Sequence, residues 1–541
     1  MDLYENGDIL PVVVIGNGPS GICLSYLLSG YTPYLSPEGI HPNAILQSKL
    51  DENSHLSLLE QDLEYLCEGL EGRSDNPVAV LFDSLLLPDS DFGLDCASPL
   101  AWRYEPSRAT PHLVLGKGPP GGAWHAMEGS MLTLSLANWM ELPGLKLKDW
   151  MREKRRNVRN DRATPAEIAS YYQHYVTQMG LESNFARGTV TSVQRIHLDG
   201  QEDGQDVRSL WEVQGLQKRR RSAVIEGGGG EERRNDEEEE EEEEEEVAFS
   251  VLAENVVLAT GTHDIPARLG VEGEALPFVS HSFWELEAAI AAGRLDQASD
   301  PVLVVGAGLT AADAVLATHH LSVPVYHAFR RSVADPALIF NQLPKMLYPE
   351  YHKVHQMMTQ QQHQHHNNDN DNNDSGPLSS SSSTTTSPGQ NGPDPSSSSS
   401  SNCSSYPGYV SFPRHRVVSI RPDRKCVLRD EGGRQTVLQV SMVLVLIGAH
   451  PNLSFLPGHG RPMALDPEEA VSCRRNPLDV DPFTHEALRE PGMYAMGPLV
   501  GENFVRFLKG GALAIASSVA RKRGRRDDDG EGLVLSTATV A

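Results

Sequence analysis

The chain has 541 residues, which is enough for two or three domains with hydrophobic cores of their own. Its formal net charge is −27, and residues 231–246 alone carry 13 acidic side chains against two arginines. This acidic balance argues against general nucleic-acid binding, and no apolar run approaches the roughly 20 residues of a transmembrane helix. Six scattered cysteines without a Cys-x-x-Cys pair are typical of a reducing compartment, and no signal peptide is recognisable, so the sequence predicts a cytoplasmic protein.

The first predicted strand runs directly into a glycine-rich turn. Residues 11–15 read Pro-Val-Val-Val-Ile, as expected for a strand that is buried on both faces of a parallel sheet. Gly16, Gly18 and Gly21 follow with the spacing of a dinucleotide-binding fingerprint. The first glycine allows the tight turn, the second lets the backbone approach a pyrophosphate, and the third packs helix on strand. The N-terminus of the helix that follows would bind the phosphates.

The next stretch, residues 31–110, is rich in proline, serine and aspartate and is predicted to be an insertion in the first domain. Within it, leucines at helical spacing predict a helix over residues 56–69. The sheet is expected to resume at residues 112–115. Further on, Thr164-Pro165 with Glu167 predicts a capped helix over residues 165–180.

A second glycine pair follows the strand at residues 112–115. A second fingerprint, at residues 306–311, indicates two nucleotide sites in one chain, one for a flavin and one for a nicotinamide. We expect Gly121 and Gly122 to pass close to the flavin. Trp124 is either an ordinary aromatic residue of the core or packs beside the flavin, and its place after this strand favours the flavin.

The first domain is predicted to end at residue 265. Before that point, residues 199–246 form an acidic tract with ten consecutive glutamates, which should repel one another and stay disordered. A strand then closes on Ala259-Thr260-Gly261, whose glycine is expected to contact the cofactor. A second domain over residues 266–447 is predicted to be inserted into the first.

The second fingerprint lies 290 residues after the first. A strand of valines and leucine precedes Gly306 and Gly308, and Ala311 occupies the third position. The following strand ends in Arg330 and Arg331 with no acidic residue. Two guanidinium groups suit the 2′-phosphate of NADPH, although they could instead coat the surface.

Several histidines are candidates for chemistry. His281, between the two fingerprints, is either a structural histidine or a catalytic residue. His352 and His355 share a helix face without a third ligand, and the His363–His366 region belongs to a polar tract over residues 359–408 that is predicted to be a disordered loop. We therefore predict no metal site.

Residues 448–541 are predicted to return to the first domain. They contain Gly492-Met-Tyr-Ala-Met-Gly497, in which Gly497 is expected to contact the flavin, and a helix of small residues. The predicted fold class is therefore α/β, with two Rossmann-like dinucleotide-binding domains, the second inserted in the first.

Together these features resemble the flavin-containing monooxygenase superfamily. More closely, the chain resembles the oxidative stress-induced growth inhibitor family, nearest to its first paralogue. The stretches that carry this resemblance are residues 15–26, 65–82, 118–125, 340–352 and 503–520. The resemblance implies FAD/NAD(P)-binding domains of the three-layer β/β/α type that bind FAD and NADPH. It also implies monooxygenase activity with molecular oxygen and a role in restraining proliferation through cell death, differentiation and cytokinesis, with the midbody as one location.

Three departures from the superfamily concern the flavin. Gly116-Lys117 stand where an acid should hold the FAD ribose, and Glu38 lies in a proline-flanked loop as the other candidate. Pro498 replaces the acid that usually follows Gly497. The superfamily's Phe-x-Gly-x-x-x-His pattern is present only as Phe278 and His281, without its glycine or its spacing. Two hypotheses therefore remain: an NADPH-oxidising monooxygenase with an unknown small-molecule or protein substrate, or a degenerate flavoprotein that acts as a redox-sensing or interaction scaffold. Either could have regulatory protein partners, and short basic clusters leave nuclear targeting open.

Overall fold

The computed structural model describes residues 9–92, 96–127, 132–153, 162–197, 209–220, 244–370 and 407–528. The chain divides into two compact units. The first unit takes its residues from Met1–Ile265 and Ala449–Ala541, and the second is Pro266–Gly448. Both contain a parallel sheet with helices, so the predicted α/β class with two Rossmann-like folds is confirmed.

The bounds of the elements follow in chain order. The strands are β1 (Ile9–Ile15), β2 (Tyr31–Leu35), β3 (Leu100–Tyr104), β4 (His112–Gly116), β5 (Phe185–Arg187), β6 (Thr189–His197), β7 (Ser209–Arg220), β8 (Glu244–Leu258), β9 (Ile265–Pro266), β10 (Val279–Ser280), β11 (Val302–Val305), β12 (Val325–Phe329), β13 (Tyr409–Pro413), β14 (Arg416–Ile420), β15 (Lys425–Arg429), β16 (Gln435–Gln439), β17 (Met442–Val445), β18 (Ala449–His450) and β19 (Met493–Ala495). The helices are α1 (Pro19–Leu28), α2 (Ala44–Glu52), α3 (Leu63–Cys67), α4 (Pro77–Leu86), α5 (Ala137–Met140), α6 (Leu147–Glu153), α7 (Pro165–Gln178), α8 (Phe283–Ala291), α9 (Leu309–His320), α10 (Ile339–Gln342), α11 (Pro349–Asn370) and α12 (Val505–Asp528). None of the helices described is both long and apolar enough to cross a membrane.

The main sheet of the first unit is built around β1. Its strand order is β5-β4-β1-β8-β7-β6, with β19 also paired to β8. β1 pairs in parallel with β4 on one side and β8 on the other, so it is a central strand. Val12 and Val14 face one layer while Val13 and Ile15 face the other, and all four are buried. This explains why β1 is apolar at every one of these positions.

The two faces of this sheet are covered differently. One face packs against α1, α7 and α12 in a large cluster that includes Ile22, Tyr172 and Ile515. The other face packs against side chains of the antiparallel β6-β7-β8 ribbon and of the segment that leads to β19, among them Val213 and Leu478. The result is the three-layer arrangement predicted for this fold.

The structure corrects one expectation within residues 31–110 and adds a strand. β2 pairs antiparallel with β3 in a separate two-stranded sheet, which the sequence analysis did not predict. The helix predicted over residues 56–69 is much shorter, since α3 covers only Leu63–Cys67. The amide of Leu58 donates to the carbonyl of Pro33, which holds that segment against β2, and Asp62 caps the helix four residues later. Tertiary pairing therefore overrides the leucine periodicity.

The tracts predicted to be disordered are ordered in part, because the strand β7 (Ser209–Arg220) lies inside residues 199–246 and pairs with β6 and β8. Register pairs Glu244, Glu245 and Glu246 of β8 with Arg220, Arg219 and Lys218 of β7, so the last glutamates of the acidic tract belong to a strand. Lys218 lies opposite Glu246, and opposite charges across an antiparallel pair favour this register. Helix α11 likewise continues to Asn370, into the polar tract. Residues 198–208, 221–243 and 371–406 of the two tracts lie outside the described residues.

The second unit contains a five-stranded parallel sheet of order β10-β17-β11-β12-β13. β11 lies between β17 and β12, and its four residues are all buried. A separate antiparallel sheet of β14, β15 and β16 covers part of this core, with Ile420 and Leu428 in the same hydrophobic cluster as Leu303. β11 is thus placed to carry the second fingerprint at its carboxyl end.

Candidate functional site

The first fingerprint turn connects β1 to α1, and its glycines serve different purposes. Gly16 has φ +119°, and a Cβ there would lie 2.3 Å from the carbonyl oxygen of Ala259. A Cβ on Gly21 would lie 2.0 Å from the carbonyl oxygen of Gly16. Gly18, in contrast, has no heavy atom within 4 Å of its Cβ position. Gly16 and Gly21 are therefore required by packing, whereas Gly18 faces open space.

The start of α1 is suited to an anion. Gly18 is its N-cap residue, and no side chain among those described caps the first turn. The amide groups of a first helical turn have no partner inside the helix, and the helix dipole places partial positive charge there. The open space beside Gly18 thus lies next to backbone donors.

Three further segments meet at this turn. The amide of Gly121 (φ +125°) donates to the carbonyl of Asn17 at 2.9 Å, and a Cβ on Gly122 would lie 2.9 Å from Cα of Gly18. A Cβ on Gly497 would lie 2.6 Å from the hydroxyl of Ser20 in α1. The structure therefore brings together the first fingerprint, the second glycine pair and the late glycine, as nucleotide binding would require.

The turn after β8 completes this region. Gly261 has φ +73° and open space at its Cβ position. The hydroxyl oxygen Oγ1 of Thr260, next to it, is buried and has no hydrogen-bond partner among the residues described. Buried hydroxyls nearly always have partners, so an unsatisfied one beside a fingerprint turn points to a ligand atom.

Trp124 lies in the short helix Gly122–His125 and is half-buried. Its ring centroid is 6.5 Å from that of Tyr172 in α7, and it packs at the margin of the helix-side core. The ring is therefore held by ordinary core contacts, while its chain position keeps it near Gly122.

The carboxyl end of β4 carries Gly116 and Lys117, and the structure brings an acid to it from elsewhere. Asp264 lies 3.3 Å from the ammonium of Lys117 and also accepts from the amide of Asn452 at 3.2 Å. Glu38 is exposed and follows β2, which is not part of the main sheet. Sequence reasoning missed Asp264 because only the fold brings residues 117 and 264 together.

The second fingerprint turn, between β11 and α9, has the same local geometry as the first. Gly306 has φ +134°, and a Cβ there would lie 2.2 Å from the carbonyl oxygen of Leu446 and 3.7 Å from Cβ of Ala311. Gly308 caps α9 without a side-chain cap and has no heavy atom within 4 Å of its Cβ position. The tight turn, the open second position and the close third position are all present.

Beneath this turn lies a histidine that sequence reasoning missed. His327 of β12 is fully buried; its Nε2 donates to the carbonyl of Gly306 at 2.7 Å, and Tyr409 donates to its Nδ1 at 3.0 Å. Burial lowers the pKa of His327 to about 4, so the ring is neutral at pH 7. The one available signal was a histidine inside an otherwise apolar strand.

Arg330 and Arg331 follow β12 directly, at the carboxyl edge of the sheet. Both are exposed; Arg331 pairs with Asp335 at 3.4 Å, whereas Arg330 makes no ion pair with any residue that the structure describes. Arg414, after the neighbouring β13, donates its amide to the carbonyl of Arg331 at 3.3 Å. A third arginine therefore follows a strand at this edge, and its guanidinium group pairs with Glu431 at 3.6 Å.

His281 lies after β10 and forms a buried pair. Its Nε2 lies 2.9 Å from Oε1 of Glu274, and Glu274 also accepts from the amides of Leu269 and Gly270, each at 2.8 Å. Burial would raise the pKa of Glu274, but these hydrogen bonds outweigh it and lower the pKa. The contacts of His281 are those of a structural histidine that fixes a loop.

The metal candidates stay separate. The rings of His352 and His355 are 6.5 Å apart, and no group of three metal-ligating side chains exists among the residues described.

Comparison with known proteins places this geometry in context. No protein-family model matches the chain. The chain is 51% identical over 524 residues to human oxidative stress-induced growth inhibitor 1, covering 96% of the chain and 97% of that protein. It is 50% identical over 541 residues to human oxidative stress-induced growth inhibitor 2, covering 97% of the chain and 96% of that protein.

Among solved structures, a bacillithiol disulfide reductase from Staphylococcus aureus has a TM-score of 0.51 and 12% identity, with 95% of this chain and 99% of that chain covered. That similarity concerns the fold alone. The identities to the growth inhibitors, in contrast, extend over almost the full length of each protein and confirm the resemblance seen in the sequence. The chain belongs to the oxidative stress-induced growth inhibitor family.

Proposed function

We propose that this protein is a flavoprotein oxidoreductase that binds FAD in its first unit and NADPH in its second, and that acts as a monooxygenase. The observation that carries the proposal is the pair of turns at Gly18 and Gly308. In each, the glycine nearest the helix start faces open space, while the first glycine is closely packed. Two such turns favour two dinucleotides.

The residues of the first unit fit FAD. Gly18 with the first turn of α1 would hold the pyrophosphate, because uncapped amides and a helix dipole favour an anion. Thr260 would donate its unsatisfied hydroxyl to the cofactor, and Gly122 and Gly497 let their segments pack against Gly18 and Ser20, beside the proposed site. Asp264 is the acid available near the end of β4 for a ribose hydroxyl.

The residues of the second unit fit NADPH. Gly308 and the first turn of α9 would hold its pyrophosphate, and Arg330 and Arg331 would bind the 2′-phosphate through charge-assisted bonds. His327 supports the turn from below by fixing the carbonyl of Gly306. His281 is a weaker candidate for a catalytic residue, since its Nε2 already contacts Glu274.

FAD supplies the redox chemistry when bound, namely acceptance of electrons from NADPH and their transfer to molecular oxygen. The chain's own task is to bind both nucleotides, orient them and exclude water. By family membership we further propose that this activity restrains proliferation through cell death, differentiation and cytokinesis, in the cytoplasm and with regulatory protein partners.

One observation favours a second function. Gly116 and Lys117 end β4 without the ribose-binding acid, and Pro498 follows Gly497 in place of another. A chain that has lost these contacts could serve as a redox-sensing or interaction scaffold.

A direct measurement separates the two. Purified full-length protein should be yellow, release FAD on denaturation and oxidise NADPH in the presence of oxygen. A folded protein that carries no flavin and takes up none when FAD is added would favour the scaffold.

A further inference from the structure

A cavity of about 570 Å³ lies within the first unit, where the N-terminal ends of α4 and α12 meet. Its volume is in the range of small-molecule binding sites. None of its lining residues belongs to the fingerprint turn, the Gly121-Gly122 pair or the turn at Gly261, and Gly497 itself is not among them, although Val500 ends the short helix that begins at Gly497. The cavity is therefore a candidate site beyond the proposed nucleotide sites.

Three aromatic rings form its apolar wall. They belong to Trp139 of α5 and to Phe504 and Phe507 at the start of α12. Phe504 is 47% exposed, although large aromatic side chains are usually buried. Phe504 is thus accessible from solvent and offers contact area to an apolar body, whereas Phe507 is buried.

The guanidinium groups at the cavity are already neutralised. Arg506 lies 2.6 Å from Asp83 through both Nε and Nη2, and its Nη1 lies 2.7 Å from Asp91. Arg73 also pairs with Asp91, at 3.3 Å. These two cations and two carboxylates balance, so the arginines do not make the cavity an anion site.

Unlike the arginines, two carboxyl groups at the cavity have no oppositely charged partner among the described residues. Glu502 is 8% exposed and accepts a hydrogen bond from the hydroxyl of Ser74, but no cation among the described residues pairs with it. Burial raises its pKa, as expected for a carboxylate that lacks a counter-ion. Asp75, beside it on the rim, also makes no ion pair with a described residue. A third acid, Asp479, is paired with Arg489 at 3.7 Å.

We propose that this cavity binds an amphipathic organic amine, with its apolar body against Trp139, Phe504 and Phe507 and its ammonium group at Glu502 and Asp75. A protonated amine would supply the counter-ion that Glu502 lacks. The guanidinium group of Arg506 already lies over the rings of Trp139 and Phe507, at 4.8 and 5.2 Å, so the two carboxylates, and not these ring faces, are expected to bind the ammonium group. A neutral ligand would leave the carboxylate uncompensated, and an anion would be repelled.

Calorimetric titration of the full-length protein at pH 7 with three matched probes tests this. 4-Phenylbutylamine should bind at least about tenfold more tightly than 4-phenylbutanol, and 5-phenylpentanoate should not bind, because a charge-assisted bond replaces a neutral one. Glu502→Gln should reduce the amine to the affinity of the alcohol. Glu64→Gln, which changes an exposed acid on α3, should leave all three unchanged.

Equal affinity for amine and alcohol, tighter binding of the carboxylate, or no binding of the amine by folded protein would each overturn the proposal. If Glu502→Gln fails to fold, Phe504→Ala provides the second test, since this ring is half-exposed. Phe504→Ala should weaken the binding of the amine and of the alcohol by the same factor. Unchanged affinities would show that the ligand binds elsewhere. Flavin content is measured for each variant, because the amide of Glu502 donates to the carbonyl of Gly497, a proposed flavin contact, at 3.1 Å.

Discussion

At the scale of single residues, Gly18 and Gly308 differ from the other glycines of their turns because each has open space in place of a side chain. Their φ angles of −74° and −89° are accessible to any residue. The backbone therefore does not need glycine at either position. Glycine is required at these two positions only if a ligand occupies the space beside them.

Gly18→Val should fold and lose FAD, because its side chain would fill the space where the pyrophosphate approaches. Gly308→Val is the matched variant: it should keep FAD and lose NADPH oxidation. Flavin content after denaturation and steady-state NADPH oxidation measure the two effects. Normal flavin content in folded Gly18→Val would show that the first turn does not bind FAD.

The arginines after β12 carry the second prediction at this scale. Replacing both Arg330 and Arg331 by Ala should weaken NADPH by about 10- to 1000-fold, since each charge-assisted contact is worth roughly 1.5–3 kcal/mol and part is lost in solvent. NADH, which lacks the phosphate, should change little. Arg434→Ala, another exposed arginine paired with an aspartate, is the control. Equal losses for both nucleotides at fixed salt would mean that the pair supports structure.

His327 predicts a pH dependence of stability. Its native pKa of about 4 lies below the unfolded value of about 6.5, so below pH 6.5 the unfolded chain binds a proton that the native ring refuses. The free energy of unfolding should therefore fall by about 3 kcal/mol between pH 6.5 and pH 4. His327→Gln should flatten that slope in urea titrations at several pH values. An unchanged slope would assign the acid sensitivity to other groups, such as His112, which is also buried and whose pKa burial likewise lowers to about 4.

At the scale of elements, the sequence predicts a helix correctly where the hydrogen bonds that fix its start join residues close together in the sequence. The start of α7 was predictable because Thr164 and Glu167 form a reciprocal capping box, which a stretch of four residues suffices to specify. The helix over residues 56–69 was not, because Leu58 is tied to Pro33 across the sequence. The same distinction separates Gly18, visible as a motif, from Asp264, which only folding brings to Lys117.

Helix α12 carries the prediction at this scale. It packs against α1 and α4, and Gly510 approaches Ala79 so closely that a Cβ would lie 2.3 Å from its Cα. Ending the chain after Asn503 should leave the helix face of the main sheet uncovered and give insoluble protein without flavin. Ending it after Asp528 should preserve soluble yield and flavin content. Soluble, flavin-loaded protein from the shorter chain would contradict this role.

At the scale of the whole molecule, the chain passes from the first unit to the second at residues 265–266 and returns at residues 448–449. Hydrogen bonds join the segments on either side of these two points. Asp264 accepts from the amide of Asn452 in the first unit, and the amide of Ala267 donates to the carbonyl of Gly448 at 2.9 Å in the second. Each unit therefore holds its two connecting segments side by side.

Replacing residues 267–447 with a short glycine-serine linker should give a folded first unit that keeps FAD, because the ends to be joined are already adjacent. Such a protein should no longer oxidise NADPH, and dithionite should still reduce its flavin. Loss of flavin from soluble protein would show that the first unit depends on the second for cofactor binding.

The discontinuity of the first unit also has a consequence for synthesis on the ribosome. The second unit is one continuous segment and can fold once residue 448 has emerged. The first unit cannot finish until β19 and α12 arrive, so the apolar surface around β1 and α1 stays incompletely covered while most of the protein is being translated. Throughout that interval the nascent chain presents a hydrophobic sheet face, which makes it a natural client for chaperones.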